Sequence, residues 1–195
     1  VKTLTLPALV EALHRLDEAE IGTERVLGIL GEGALDEASL RPFVGFRAEG
    51  YARRLVHRSE LFDVMVLSWL PGQVTPVHNH AGQLGWVRLV RGAIREDRFR
   101  YPGGAATADP ATVEIDADGR GSGVVLEACG TALVDRVGAV ATVDRVRAIH
   151  RLGNPADAGE GALTLHVYSR PHDSCLCFDP DQGTCWRREL RFVGS

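Results

Sequence analysis

The stretch from Pro71 to Gly92, PGQVTPVHNHAGQLGWVRLVRG, decides how the rest of the chain reads. It opens on Pro71-Gly72, a turn signal, and closes on Gly92. Between them stand His78 and His80, one residue apart. Side chains of a β-strand alternate faces, so residues two apart project together. If this segment is extended, the two imidazoles can share one metal ion. Val74, Thr75 and Val77 before the pair, and Trp86, Val87, Leu89 and Val90 after it, favour extension. An isolated His-x-His pair fits two half-exposed imidazoles equally well, although neutral imidazole is also the commonest metal ligand.

The surrounding spacing separates those readings. Gly72, five residues, His-x-His and a run ending at Gly92 resemble the first motif of the cupin superfamily. In that motif a Glu usually follows the second His, and its position falls on Gly85, so a further ligand must come from elsewhere. The second cupin motif contributes a His followed four residues later by Asn. His150 and Asn154, in HRLGN, match it, whereas its usual Pro and Gly fall on Arg145 and Arg147. The resemblance implies a ligand set of three neutral imidazoles, His78, His80 and His150, and no carboxylate. Three facial imidazoles leave up to three open positions on an octahedral ion. That is close to the two-His-one-carboxylate triad of non-haem Fe(II) oxygenases. Zinc with three His and a water is the competing assignment. Loss of the carboxylate leaves the site one unit more positive, and an anionic ligand such as a thiolate restores that charge.

Length and composition bound the setting. The chain has 195 residues, enough for one well-packed domain. Hydrophobic residues make up 45% and charged residues 25%, an ordinary globular balance. The net charge is −4 with basic residues scattered, which argues against a nucleic-acid partner. No apolar run approaches membrane-span length and no signal-peptide pattern opens the sequence, so no membrane partner is expected. Four cysteines, at 129, 175, 177 and 185, lack zinc-ribbon spacing. With no export signal the expectation is reduced thiols in a cytoplasmic protein. Cys129, Cys177 and Cys185 read as small buried apolar residues.

Residues 1–50 read as helical. Pro7 suits a helix start, and Leu6, Leu9, Val10, Leu13 and Leu16 keep a 3.6-residue period. Thr23 is placed to cap a second helix through Leu30, ended by Gly31 and Gly33, and a short third helix starts at Asp36 and stops near Pro42. From Tyr51 short β-like runs follow, expected near 51–57, 61–70, 74–80, 84–90, 93–99, 112–116, 123–127, 131–135, 139–150, 162–169, 174–178 and 184–192. So many short strands predict a sandwich or barrel. The loop from 102 to 110 reads as a surface excursion. The expected architecture is mainly β: one domain over 1–195, a cupin jelly-roll barrel from 51 to 195 covered by N-terminal α-helices over 1–50.

Two further clusters carry chemistry. In LTLHVYSRP, Thr164, His166 and Tyr168 are spaced two apart, so on a strand they form one hydrogen-bonded row with the tyrosine hydroxyl at its tip. A core strand whose His and Tyr satisfy each other fits the same spacing. In GYARRLV, Tyr51 and Arg53 share a face, and Arg53 has the planar fork that holds a carboxylate bidentately. A surface salt bridge is the plainer alternative there.

GYARRLV, PVHNHAGQLGWVRLVRG, IHRLGN and LHVYSRPHDSCLCFD, in this order, resemble the cysteine dioxygenase family of cupins over residues 45 to 190. The resemblance implies Fe(II) held by His78, His80 and His150, and a substrate carboxylate held by Arg53 with Tyr51. It also implies a hydrogen-bonded set at Thr164, His166 and Tyr168, and Cys175 near the substrate pocket. In mammalian members a cysteine cross-links to the tyrosine; its position is Gly85 here, so no thioether forms. Mammalian members read Ser-Pro-Pro where this chain has Ser169-Arg170-Pro171. Related 3-mercaptopropionate dioxygenases commonly have Gln at the Arg53 position, so Arg53 favours cysteine, while Arg170 leaves room for another thiol acid.

The reading that follows is an Fe(II)-dependent thiol dioxygenase converting L-cysteine and O2 to cysteine sulfinic acid. A small thiol and O2 are its partners, and the protein is expected to be a monomer. Dioxygenation of 3-mercaptopropionate or another small thiol acid is the nearest alternative. A non-catalytic metal-binding cupin sensor is the alternative of another class, and the substrate-side set argues against it.

Overall fold

A computed structural model describes residues 3–102, 114–143 and 149–193. The N-terminal part is helical, as the leucine period requires. Helix α1 spans Leu6–His14, with Pro7 in its first turn and Thr5 as its cap, whose hydroxyl accepts from the Ala8 amide at 3.3 Å. Helix α2 spans Thr23–Gly31; its cap is Gly22, so Thr23 is the first helical residue rather than the cap. Helix α3 is short, Glu37–Leu40, and Asp36 caps it by accepting from Ala38 N at 3.1 Å. A one-turn 3-10 segment, Arg41–Phe43, ends the helical part at Pro42. Two-residue strands β1 (Thr3–Leu4) and β2 (Ala34–Leu35) tie these helices together in parallel.

Two sheets follow. The first has five strands: β3 (Ala52–Arg58), β4 (Asp63–Trp69), β6 (Leu84–Arg91), β10 (Val140–Val143) and β12 (Ala162–Ser169), in the order β10-β6-β12-β4-β3. The second has seven: β5 (Val77–His78), β7 (Ile94–Arg100), β8 (Arg120–Ser122), β9 (Glu127–Val134), β11 (Ile149–Gly153), β13 (Ser174–Asp179) and β14 (Thr184–Glu189), in the order β8-β14-β13-β5-β11-β7-β9. All pairings in both sheets are antiparallel. Facing antiparallel sheets whose inner residues meet form the jelly-roll barrel of a cupin, here with N-terminal helices.

The helices explain why β4 and β12 are buried along their whole length. Val64 and Val66 of β4, Trp86 of β6 and Leu163, Leu165 and Val167 of β12 pack outward, in one core with Leu6, Leu9, Leu13, Val26 and Leu30. The alternate residues, Met65, Leu67, Trp69, Val87, Leu89 and Tyr168, pack inward with Leu152. A strand covered on both faces reads as a near-continuous apolar run rather than an alternation. Burying each Leu of such a core contributes about 1.5–3 kcal/mol. Arg88, on the outer face of β6, donates to the carbonyls of Leu30 and Gly33 and so terminates α2 against the sheet.

The strand boundaries depart from expectation in four places. The expected strand 74–80 is reduced to Val77–His78, with Val74 forming an isolated bridge to Gly153. Residues 114–116 are not a strand, while 112–113 and most of the loop 102–110 lie outside the described residues. The expected strands 123–127 and 131–135 are replaced by Arg120–Ser122 and one strand, Glu127–Val134, kinked where its register with β7 shifts. The expected strand 139–150 is described as Val140–Val143 and Ile149–Gly153, with 144–148 outside the described residues. Gly92, at φ +74°, makes the turn between β6 and β7, and a Cβ there would lie 2.9 Å from Ala162 Cα. Among the described residues, no helix is long and apolar enough to cross a membrane.

Candidate metal centre and substrate pocket

His78 lies on β5 and His80 just beyond it, while His150 is the direct cross-strand partner of His78. Their ring centroids are 4.8–5.0 Å apart in every pairing. One nitrogen from each ring falls in a set spanning at most 4.8 Å. His78 Nδ1 donates to the Pro76 carbonyl at 3.0 Å, which leaves the lone pair on Nε2. His150 Nδ1 lies 2.7 Å from a carboxylate oxygen of Glu96, which orients that ring in the same sense. His150 Nε2 is buried and has no hydrogen-bond partner among the described residues. An orphaned imidazole nitrogen at the centre of a buried triad fits a metal ion. Burial, then the neighbouring His150, pushes His78 down to about 3, so its ring is neutral and able to ligate at neutral pH.

Glu96, on β7, went unseen in the sequence. It is 4% exposed, and its second oxygen takes 2.6 and 2.8 Å contacts from Arg98. Burial pushes its pKa upward, but the hydrogen bonds from His150 and Arg98 outweigh burial and hold the carboxyl below its ordinary range. An ionised acceptor therefore stands behind His150.

Across the barrel, β12 carries Thr164, His166 and Tyr168 on its inner face. Thr164 Oγ1 is 2.8 Å from His166 Nε2, and His166 Nδ1 is 3.1 Å from the Tyr168 hydroxyl. The row has a fourth member, Trp69, whose indole N–H donates to Thr164 Oγ1 at 2.9 Å. Indole is a donor only, and burial holds His166 well below its ordinary value, so the ring is neutral. A polarity that uses each proton once runs from Trp69 to Thr164, to His166 Nε2, and from Nδ1–H to Tyr168. It leaves the phenol O–H free to donate into the pocket. Burial pushes the Tyr168 pKa upward, so that proton stays in place at neutral pH. The Tyr168 ring stacks on His80 at 5.5 Å. Its cross-strand partner is Gly85, where a Cβ would stand 2.9 Å from Tyr168 Cε1. The residue at the cross-link position is thus the one that lets this ring lie flat against β6.

The pocket between these walls is lined by Tyr51, Arg53, His78, His80, His166 and Tyr168, with Met65, Leu67 and Leu152 as apolar wall and Cys175, Cys177 and Arg188 opposite. Tyr51 stacks on Trp69 at 4.6 Å, which fixes it at the rim. Arg53 donates to Met65 Sδ at 3.3 Å and lies over the Phe192 ring. Its alternative as a surface salt bridge has no support among the described residues: no carboxylate pairs with it. Cys175 and Cys177 lie two apart on β13, and their mutual interaction pushes the Cys175 pKa down and the Cys177 pKa up. Cys185 is buried as expected, whereas Cys129 is exposed, because it lies in the first five residues of edge strand β9, all of which are exposed.

Arg170 is the one candidate that stands apart. It is not among the lining residues; its guanidinium pairs with Glu18 and its side chain is 57% exposed. The Ser169-Arg170 peptide bond is cis. Besides Glu96, which stands behind His150, two charged or titratable residues that line the pocket were missed. His172 packs edge-on against Tyr168 at 5.6 Å, and Arg188 of β14 faces Cys175 across the sheet.

A cupin barrel with three inward imidazoles on one wall and a polarised tyrosine on the other defines the class. The comparisons with known proteins narrow it. A family model for cysteine dioxygenase type I matches residues 1–181, and the chain belongs to that family. It is 26% identical to cysteine dioxygenase type 1 of Danio rerio over 185 residues, covering 94% of this chain and 83% of that protein. The human protein of the same name gives the same identity and coverage. Among solved structures, a conserved double-stranded β-helix protein from Klebsiella pneumoniae aligns at 14% identity and TM-score 0.48, over 76% of this chain and 88% of that one. Membership makes the chain an enzyme of the dioxygenase type.

Proposed function

We propose that the protein is an Fe(II)-dependent thiol dioxygenase that converts L-cysteine and O2 to cysteine sulfinic acid, both oxygen atoms ending on sulfur. One observation supports the reading: the buried triad of His78, His80 and His150 adjoins a pocket that Arg53 and Tyr168 also line. When bound, Fe(II) supplies the redox chemistry with O2 and a positive charge that favours the substrate thiolate. His78, His80 and His150 would hold it. Arg53, with Tyr51 beside it, binds the substrate carboxylate and so presents sulfur in one pose. Tyr168 offers its O–H toward the reacting sulfur, and the Trp69–Thr164–His166 row keeps that proton pointed inward. Met65, Leu67 and Leu152 exclude water from the charged groups. The reading includes a cytoplasmic monomer working as one cupin unit over 1–195.

The testing experiment is oxygen uptake by Fe(II)-loaded protein of verified metal content, with L-cysteine and 3-mercaptopropionate in parallel and sulfinate quantified. Uptake with cysteine coupled to cysteine sulfinate is the expected result. Faster turnover of 3-mercaptopropionate would move the substrate assignment to that acid. Bound iron without uptake on either thiol would favour a metal-binding sensor.

A further inference from the structure

The pocket holds one more cation than an amino-acid thiol requires. Arg53 and Arg188 both line it, and no aspartate or glutamate does. Among the described residues neither guanidinium has a carboxylate partner. Three other arginines of the barrel do have one: Arg58 pairs with Asp63 at 2.7 Å, Arg98 with Glu96 at 2.6 Å and Arg151 with Asp97 at 2.7 Å. Arg53 instead rests on the Met65 thioether, and Arg188 is the direct cross-strand partner of Cys175. A thioether is a weak acceptor that leaves the cation uncompensated. Half-buried guanidinium groups without a counter-charge are costly unless a ligand supplies one.

Position adds a second argument. Tyr51, Arg53 and Arg188 line the inner pocket and also the outer basin of about 1090 Å³ into which it opens, so Arg188 stands at the neck. Of the basin's other arginines, Arg47 pairs with Glu49 and Arg191 with Glu189, both at 3.6 Å, while Arg187 donates to the Ser174 hydroxyl at 3.4 Å. A ligand reaching from the histidines to Arg53 occupies the same pocket that Arg188 lines.

We propose that Arg188 is a specificity-determining residue, a second anionic subsite that selects small thiols carrying two carboxylates over those carrying one. This rests on the thiol-binding reading above and refines its substrate class; cysteine remains a substrate that leaves the Arg188 subsite unfilled. The competing use of Arg188 is internal, as counter-charge to Cys175.

The test is anaerobic calorimetric titration of the Fe(II)-loaded protein with mercaptosuccinate, which has two carboxylates, and 3-mercaptopropionate, which has one. The wild-type protein should bind mercaptosuccinate about tenfold more tightly, as one added charge-assisted pair gives. In Arg188→Gln the ratio of the two affinities should fall to near one, and Arg188→Lys, which keeps the charge but not the fork, should retain part of it. Equal wild-type affinities, or a preference that survives in Arg188→Gln, would overturn the proposal and assign Arg188 to Cys175, with the thiol reading intact. Failure of iron-loaded wild-type protein to bind either thiol would overturn both.

Discussion

Glu96→Ala is the most informative perturbation of the metal centre, because Glu96 touches neither metal nor substrate. Its carboxylate accepts from His150 Nδ1 at 2.7 Å and is itself held by Arg98 at 2.6 Å. Removing it frees the imidazole to rotate and to move its proton to Nε2, the atom that must stay bare to ligate. Outer partners of this kind contribute about 10–100-fold to metal affinity, or roughly 1.4–2.7 kcal/mol. A buried N–H left without an acceptor costs about 1–3 kcal/mol of folding stability in addition. The assay is anaerobic competition for Fe(II) against a chelator of known affinity, with unfolding midpoints measured on the same samples. Glu96→Gln keeps an oxygen acceptor and loses the charge, so it should fall between wild type and Glu96→Ala. Wild-type Fe(II) affinity in Glu96→Ala would refute the argument that this carboxylate orients His150.

Four other outcomes are expected. His150→Ala should purify with almost no iron; full iron content would remove His150 from the ligand set. Arg53→Ala should raise the cysteine KM by a factor corresponding to about 2–3 kcal/mol, and an unchanged KM would place the carboxylate elsewhere. Gly85→Ala puts a Cβ 2.9 Å from Tyr168 Cε1, so the ring must shift and kcat should fall with iron content intact; unaltered kcat would separate Tyr168 from the reaction. The metal-free protein should lose stability in acid in two stages. His78, His166 and His172 are all depressed by burial, so the unfolded chain takes up protons they refuse as pH falls below about 6.5, at about 1.4 kcal/mol per pH unit for His78. Glu96 and Asp97 are depressed carboxyls whose contribution persists above their ordinary values and is lost as pH falls through their folded ones. Denaturant midpoints that stay level between pH 7.5 and 5.5 would contradict the first stage.

What the sequence disclosed and what it hid follow from one physical distinction. Thr164, His166 and Tyr168 were legible because a strand's period of two is local, and so was the pairing of Tyr51 with Arg53. His150 was legible because HRLGN keeps its own motif spacing. Glu96 sits in IREDRFR, a charged strand that by pattern belongs to the surface. Only the register of β7 against β11, which sets Glu96 opposite Leu152, brings it behind His150. Arg188 in WRREL was hidden in the same way, since its place at the pocket depends on β14 pairing with β13. Arg170 was placed at the substrate by its neighbours in sequence, but its side chain turns outward to Glu18 on the helical segment. The extended run expected over 74–80 shrinks to two paired residues because only Val77 and His78 pair with β13, and only His78 also pairs with β11.

That two-residue strand has a mechanical consequence. In the seven-stranded sheet it is the rung between β13 on one side and β11 on the other, with three strands beyond each face of the seam. His78 alone pairs with both Cys177 and His150. An ion held by His78 and His150 therefore rivets the narrowest point of the sheet, and its binding energy becomes cohesion between the two halves. At a hundredfold excess over Kd that cohesion amounts to about 2.7 kcal/mol. The Asn79 amide, bonded to the Leu176 carbonyl at 3.0 Å across this seam, should exchange with solvent faster when the metal is stripped, which turns a backbone proton into a gauge of site occupancy.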